Sequence, residues 1–269
     1  IRNTDAAFSE KGKQVINAVF GEGAKDRKQL GEGVYKHFAK GKDGFIISSC
    51  QFALHYFFET PEILNRFIRN VAECTKLGGY FVSTCYDGNL IFDALRDKGE
   101  GESISISKGQ KKMWEVQKLY QRDEFQPDET SVGYAINVYQ ESINKVFREY
   151  LVNYNYFIRI MENYGFVPLT VEEANVFGLP SGTGLFSDLF AYMKTDLDNG
   201  KIKRADVGNS LKMSPEEKRI SFFNRYFVFK KVRSVDAKSV SMKYGVTEKA
   251  IPEMTISDET VADVAPETV

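Results

Sequence analysis

The run from Phe45 to Thr84 constrains the fold more than any other part of the chain. Phe45 to Ser49 reads as a buried strand, short and apolar on both faces. Thr60 then stands where a helix N-cap is wanted, and Pro61 suits the first helical position. Ile63, Leu64, Phe67, Ile68 and Val71 recur at helical spacing and give one apolar face. Gly78-Gly79 offers a left-handed stop, and Tyr80 to Thr84 reads as the next strand. Strand, helix and strand in that order imply a parallel pair with a right-handed crossover, so the class is α/β. Between strand and helix lies Ser48-Ser49-Cys50-Gln51-Phe52-Ala53-Leu54-His55-Tyr56. An apolar strand there runs straight into residues that stack on rings and hydrogen-bond to base edges. A candidate site therefore sits at the end of a strand.

The flanking segments are less regular. Gln14 to Phe20 reads as a weak strand or a helix end, and Lys25 to Lys42 as loops around a helical turn. Asn89 to Asp97 reads as a short helix. Glu100 to Gly109 is polar and rich in Gly and Ser, so an exposed connection is expected. Asp123 to Thr130 reads as another loop. Met113 to Tyr120 and Val132 to Val146 are aromatic-rich with partial alternation, which predicts an antiparallel insertion of strands on the sheet. Tyr154 to Tyr164 reads as a helix with Phe157, Ile158 and Met161 inward, stopped at Gly165. Phe166 to Leu169 resumes a strand. Gly182 to Lys194 is expected to be helical with Leu185, Leu189 and Phe190 buried. Ser214-Pro215-Glu216-Glu217 is a helix start, and Arg225 to Lys231 a final strand. From Ser234 to Val269 periodicity is lost and acids outnumber lysines. The division expected is one domain over 1–233 and a flexible acidic tail over 234–269.

Composition limits the function classes. Of 269 residues, 42% are hydrophobic and 27% charged, as in a globular domain. No apolar run approaches the ~20 residues that span a bilayer, so no membrane partner is expected. Cys50, Cys74 and Cys85 share no metal-type spacing, and with only His37 and His55 no metal site is expected. Such cysteine usage suits a reducing, intracellular compartment. A net charge of −1 gives no global nucleic-acid footprint, so an RNA contact must be local. Lys108, Lys111, Lys112 and Lys118 could form such a strip, although a charge run is more often a solvated face.

Four motifs in order carry a resemblance. Ser49-Cys50-Gln51-Phe52-Ala53-Leu54-His55-Tyr56-Phe57-Phe58-Glu59 resembles the signature of messenger-RNA cap (guanine-N7) methyltransferases. Gly78-Gly79-Tyr80-Phe81-Val82-Ser83-Thr84 is similar to the strand that follows it in that family. Arg148-Glu149-Tyr150-Leu151-Val152 resembles a later motif, and Ser221 to Lys230 the closing strand, in the form associated with large DNA viruses. The resemblance implies a Rossmann-like class I sheet with S-adenosylmethionine as methyl donor. It places Gln51 and Tyr56 along the donor, and Phe52, His55, Tyr56 and Glu149 around the cap guanine. Glu149, His55 and Tyr56 would serve catalysis. Glu22, near Phe20-Gly21-Glu22-Gly23, stands where the family often has an Asp by the adenine. The family's cap-side Tyr in the final strand aligns with Asn224, with Tyr226 on the same strand face. The partner implied is the capped 5′ end of mRNA. The family leaves room for upstream triphosphatase and guanylyltransferase domains or a stimulatory subunit. The compartment implied is the cytoplasm, or host cytoplasm or virion if the source is viral.

The family's Gly-rich loop after the first strand, and the acid ending the second, are absent from the sequence. Ile1-Arg2-Asn3-Thr4-Asp5-Ala6 resembles the segment just downstream of that acid. The chain is therefore expected to lack the first sheet strands and, as it stands, to bind the donor poorly. Two other readings remain open: a silent methyltransferase-like lobe that supports a capping partner, and a methyltransferase for another base or a small molecule.

Overall fold

In the computed structural model, residues 9–247 are described. Two helices lead: α1 (Glu10–Phe20), capped by the Ser9 hydroxyl, and α2 (Arg27–Tyr35), capped by the Asp26 carboxylate. Then come β1 (Phe45–Gln51), a 3-10 turn (Leu54–Phe58), α3 (Pro61–Cys74), β2 (Thr75–Tyr86) and α4 (Gly88–Ala94). β3 (Ser103–Lys108), β4 (Lys111–Lys118), β5 (Ala135–Gln140) and β6 (Lys145–Tyr150) follow. The chain continues through α5 (Tyr154–Asn163), β7 (Phe166–Pro168), α6 (Val171–Val176), β8 (Thr183–Leu185) and α7 (Phe186–Asp198). It ends with α8 (Pro215–Ser221), β9 (Asn224–Lys231) and α9 (Ala237–Met242).

The first sheet runs β1-β2-β9-β7, with β8 also paired to β9. β1 and β2 are parallel and joined through α3, while β9 is antiparallel to β2. This β1–α3–β2 unit is the parallel strand–helix–strand pair that the sequence pattern predicts. α3 forms as expected: Thr60 Oγ1 accepts from Ile63 N at 3.2 Å, and Pro61 occupies the first turn. Leu64 and Ile68 are fully buried, each worth about 1.5–3 kcal/mol. On the sheet face beneath lie Phe81, Phe227 and Phe229, with Phe157, Ile160 and Met161 of α5 in the same core.

Several expectations are corrected. α3 ends at Cys74, before the glycine pair, and Lys231 reaches under its end to donate to Ala72 O (2.6 Å) and Thr75 O (2.8 Å). Gly78 and Gly79 lie inside β2, where the β1–β2 register shifts between Phe45 and Ile47. A Cβ at Gly79 would come 2.8 Å from Ile46 O, so the glycine permits close strand approach rather than a helix stop. β1 is not buried: it is an edge among the described strands, and Ile46 and Ile47 are each 59% exposed. Of the two readings for Gln14 to Phe20, the helix end holds: the segment closes α1. The expected connection at Glu100 to Gly109 holds β3, whose Ile104 and Ile106 alternate with serines. Gly182 to Lys194 begins as β8 before α7, and Leu185, Leu189 and Phe190 are only half-buried. The expected tail starts inside the folded body: α9 packs on α3, and Asn163 donates to Tyr244 Oη at 2.8 Å. Residues 248–269 of that tail lie outside the described residues.

The antiparallel insertion is a sheet of its own, in the order β3-β4-β5-β6. Its core (Trp114, Val116, Ile136, Val138) packs on Ile91 and Leu95 of and beside α4. The two sheets meet where Gly88 N donates to Val152 O at 3.1 Å. A Cβ at Gly88 would fall inside the contact shell of the Val152 backbone. That seam fixes how far β6 stands from the end of β2. Gly88→Ala should therefore push the sheets apart, at a cost of about 2–3 kcal/mol. Chemical denaturation checks this; an unchanged midpoint would mean that the seam is not tight.

Candidate functional site

The 3-10 turn after β1 builds one wall. Leu54 and Phe58 are fully buried and anchor the turn in the core, which carries His55 inward and leaves Tyr56 at 41% exposure. The turn begins at Phe52, a bulky residue held at φ +51, with its N–H donating to Thr84 O at 2.8 Å. This left-handed backbone is costly for Phe and leaves it 55% exposed. β6 builds the facing wall. Its residues from Lys145 to Arg148 are exposed, and Glu149 is its one buried residue.

His55 Nε2 and Glu149 Oε1 lie 3.6 Å apart, too far for a hydrogen bond. Neither His55 nitrogen nor Glu149 Oε2 finds a hydrogen-bond partner in the described chain. Burial pushes the Glu149 carboxyl up to about 7 and the His55 imidazole down to about 4. The pair is thus not a standing ion pair at neutral pH: His55 is neutral and Glu149 sits near its midpoint. Burial, and then Glu149 itself, raise the Tyr56 phenol, whose ring lies 4.3 Å from that of His55. Buried polar atoms without partners are rare in folded proteins, and their placement opposite one another makes this junction the candidate site.

The other expected residues are placed as follows. Gln51 spends its side chain across the sheet: Nε2 donates to Val82 O (3.1 Å) and Ser49 Oγ (3.0 Å), and Oε1 accepts from Thr84 Oγ1 (2.8 Å). Tyr226 is buried and donates to Ser181 O at 3.1 Å. Gln51, Thr84, Tyr226 and Gly184 form one row across the sheet. Glu22 stands exposed in the turn after α1. Among the described residues no group of three or more His, Cys, Asp or Glu could hold a metal ion. The basic strip does not form: Lys118 is buried on Lys98 O, Lys111 pairs with Glu141 and Lys112 with Glu115. Phe186, at the start of α7, meets Phe52 edge-on at 6.3 Å, a contact that no local pattern announces. A cavity of about 1300 Å³ opens between α1, β1 and α3, and Tyr56, Glu59, Glu62 and Arg148 stand on its wall.

The carboxyl gives a pH test. A folded pKa raised above the unfolded value means that folding takes up a proton. The contribution of Glu149 to stability therefore falls as pH rises from the ordinary carboxyl range through about 7. Glu149→Gln should gain stability over the parent as pH rises from 5 to 8, by on the order of 2 kcal/mol at the upper end. His55 is common to both proteins and cancels. Paired unfolding curves measure it, and a difference that does not vary with pH would contradict it.

Comparison with known proteins agrees with the motifs. The mRNA (guanine-N(7))-methyltransferase domain matches residues 4–232. A probable mRNA-capping enzyme of Acanthamoeba polyphaga mimivirus is 33% identical over 109 residues, 39% of this chain and 9% of that protein. An mRNA cap guanine-N(7) methyltransferase of Aspergillus fumigatus is 26% identical over 220 residues, 71% of this chain and 31% of that protein. The chain thus spans less than a third of the length of either relative. Among solved structures, a methyltransferase from Streptomyces caelestis overlaps with a TM-score of 0.36 at 9% identity, covering 72% of this chain and 59% of that one. With the matched domain running through both sheets and the His55–Glu149 junction, the chain belongs to the mRNA (guanine-N(7))-methyltransferase domain family.

Proposed function

We propose that this chain holds the guanine of an mRNA cap for methylation at N7 by S-adenosylmethionine. The observation that carries the reading is the buried Glu149 carboxyl, unpaired at Oε2 and facing a neutral imidazole. An ionised carboxylate only accepts hydrogen bonds. The pairing edge of guanine offers two adjacent donors, the ring N–H and the amino group. Adenine offers an acceptor where guanine has the ring donor, and a dry carboxylate rejects it.

The donor supplies an electrophilic methyl on sulfur. N7 already carries a free lone pair at neutral pH, so this chain's residues need abstract no proton. Their work is to place the base and to shape the field. Glu149 grips the edge remote from N7, and Phe52, His55 and Tyr56 bound the base. As the purine gains positive charge its attraction to Glu149 grows, which favours the transition state over the ground state. Tyr56 is shared by this wall and the large cavity, which would take the donor; its charged lining sets Glu59 and Glu62 beside Arg66 and Arg148, with Glu62 paired to Arg66. Gln51 would act there as a brace of the strand end, its amide being engaged with Val82 and Thr84.

Binding isotherms with guanosine, inosine and adenosine triphosphates test the reading without requiring the donor. The parent should prefer guanosine to inosine by about 10-fold, one charge-assisted hydrogen bond, and should hardly bind adenosine. Glu149→Ala should weaken guanosine binding about 100-fold, on the order of 3 kcal/mol, and erase the preference. A parent that binds all three nucleotides alike would overturn the guanine assignment.

A further inference from the structure

The Phe52–Phe186 contact joins distant parts of the fold. Phe52 leaves β1 at one edge of the first sheet, beside Thr84 of β2. Phe186 follows directly on β8, which pairs with β9 on the other side of β2. β8 and β1 are three ladder spacings apart, about 14 Å. Their side chains nevertheless meet with ring centroids 6.3 Å apart and an interplanar angle of 79°. Both rings must therefore lean inward over the ends of β2 and β9. Neither ring is sealed in the core: Phe52 is 55% exposed and Phe186 half-buried. The backbone at Phe52 sits in the left-handed region, at φ +51. Strain held at an exposed aromatic ring, three residues before the buried His55 and leading into its turn, is not explained by packing.

We propose that Phe186 is a second aromatic jaw which, with Phe52, takes the flat face of the guanine whose edge Glu149 holds. The proposal rests on the guanine reading above and extends it to a residue outside the four motifs. Edge-on rings form an apolar corner; a rotation of one ring presents a π-face to a purine. Once N7 is methylated the base is cationic, and an aromatic face attracts it more strongly. The clamp thus favours the charge that develops during transfer from the side of the ring, as Glu149 does from its edge.

The test is binding of guanosine triphosphate and 7-methylguanosine triphosphate to the full chain, with thermal unfolding as the check on folding. Phe186→Ala should weaken guanosine triphosphate about 10-fold, as expected for the loss of one base–aromatic stack, and the methylated nucleotide by more. Phe186→Trp should remain within about 3-fold of the parent, whereas Phe186→Leu should behave as Ala, because bulk without a π-face does not stack. Full recovery by Leu would reduce the residue to packing and overturn the clamp. So would a loss seen only with the dinucleotide GpppA, which would place the ring on the next base. Unchanged affinity in Phe186→Ala, with normal binding by the parent, overturns the clamp alone. A parent that binds no guanosine triphosphate overturns the clamp and the Glu149 reading together.

Discussion

A carboxyl and an imidazole, both buried and 3.6 Å apart, face each other without a hydrogen bond. Protein interiors rarely tolerate this, because each unpaired polar atom has lost water and gained nothing in exchange. Burial offsets part of the cost by making both groups neutral more readily: it pushes the carboxyl up to about 7 and the imidazole down to about 4. On the proposed reading, the remainder is relieved when a ligand with adjacent donors binds. A site built in this way binds through relief of a desolvation penalty already incurred on folding, so it discriminates strongly by hydrogen-bond pattern and weakly by size.

The rest of the fold can be understood as the apparatus that keeps this pair in place. His55 is carried by a turn whose neighbours Leu54 and Phe58 are locked into the core of the first sheet. Glu149 is carried by a strand of the second sheet, whose core is separate. β6 packs directly on that turn, and the seam between the sheets sets how the two residues stand to one another. Gly88 against Val152 brings the end of β2 to the root of α5, and the Asn153 side chain, bonded to Phe125 O and Gln126 O, fixes the loop beneath. Buried Trp114 donates to Tyr86 Oη at 2.9 Å and ties the insertion to β2 from the other side. The junction is therefore held by backbone approach and by directional bonds, which resist sliding better than apolar contact alone.

Local signals in the sequence were legible where one segment decides its own structure. Thr60-Pro61 and Ser214-Pro215 start helices because capping is a matter of a few consecutive residues. Signals that depend on a neighbour misled. Gly78-Gly79 resembles a helix stop, yet its role is set by the close approach of Ile46 in another strand. Phe45 to Ser49 has the composition of a central parallel strand but lies at an edge among the described residues. β3 hides behind serines and glycine, although Ile104 and Ile106 carry the two-residue period that reveals it. The family motifs named Glu149 and His55, but no spacing rule could show that residues on separate sheets meet. Phe186 carries no motif at all; its place is a product of β8 pairing with β9.

The central claim is that Glu149 is a buried acid whose proton is displaced by the pairing edge of guanine. Direct titration of the Glu149 carboxyl carbon by NMR, without and with saturating guanosine triphosphate, tests it most closely. The free protein should show a midpoint near 7, as burial dictates, and the complex a midpoint well below it, because two donors then stabilise the anion. An ordinary carboxylate midpoint in the free protein, unmoved by the nucleotide, would contradict the account.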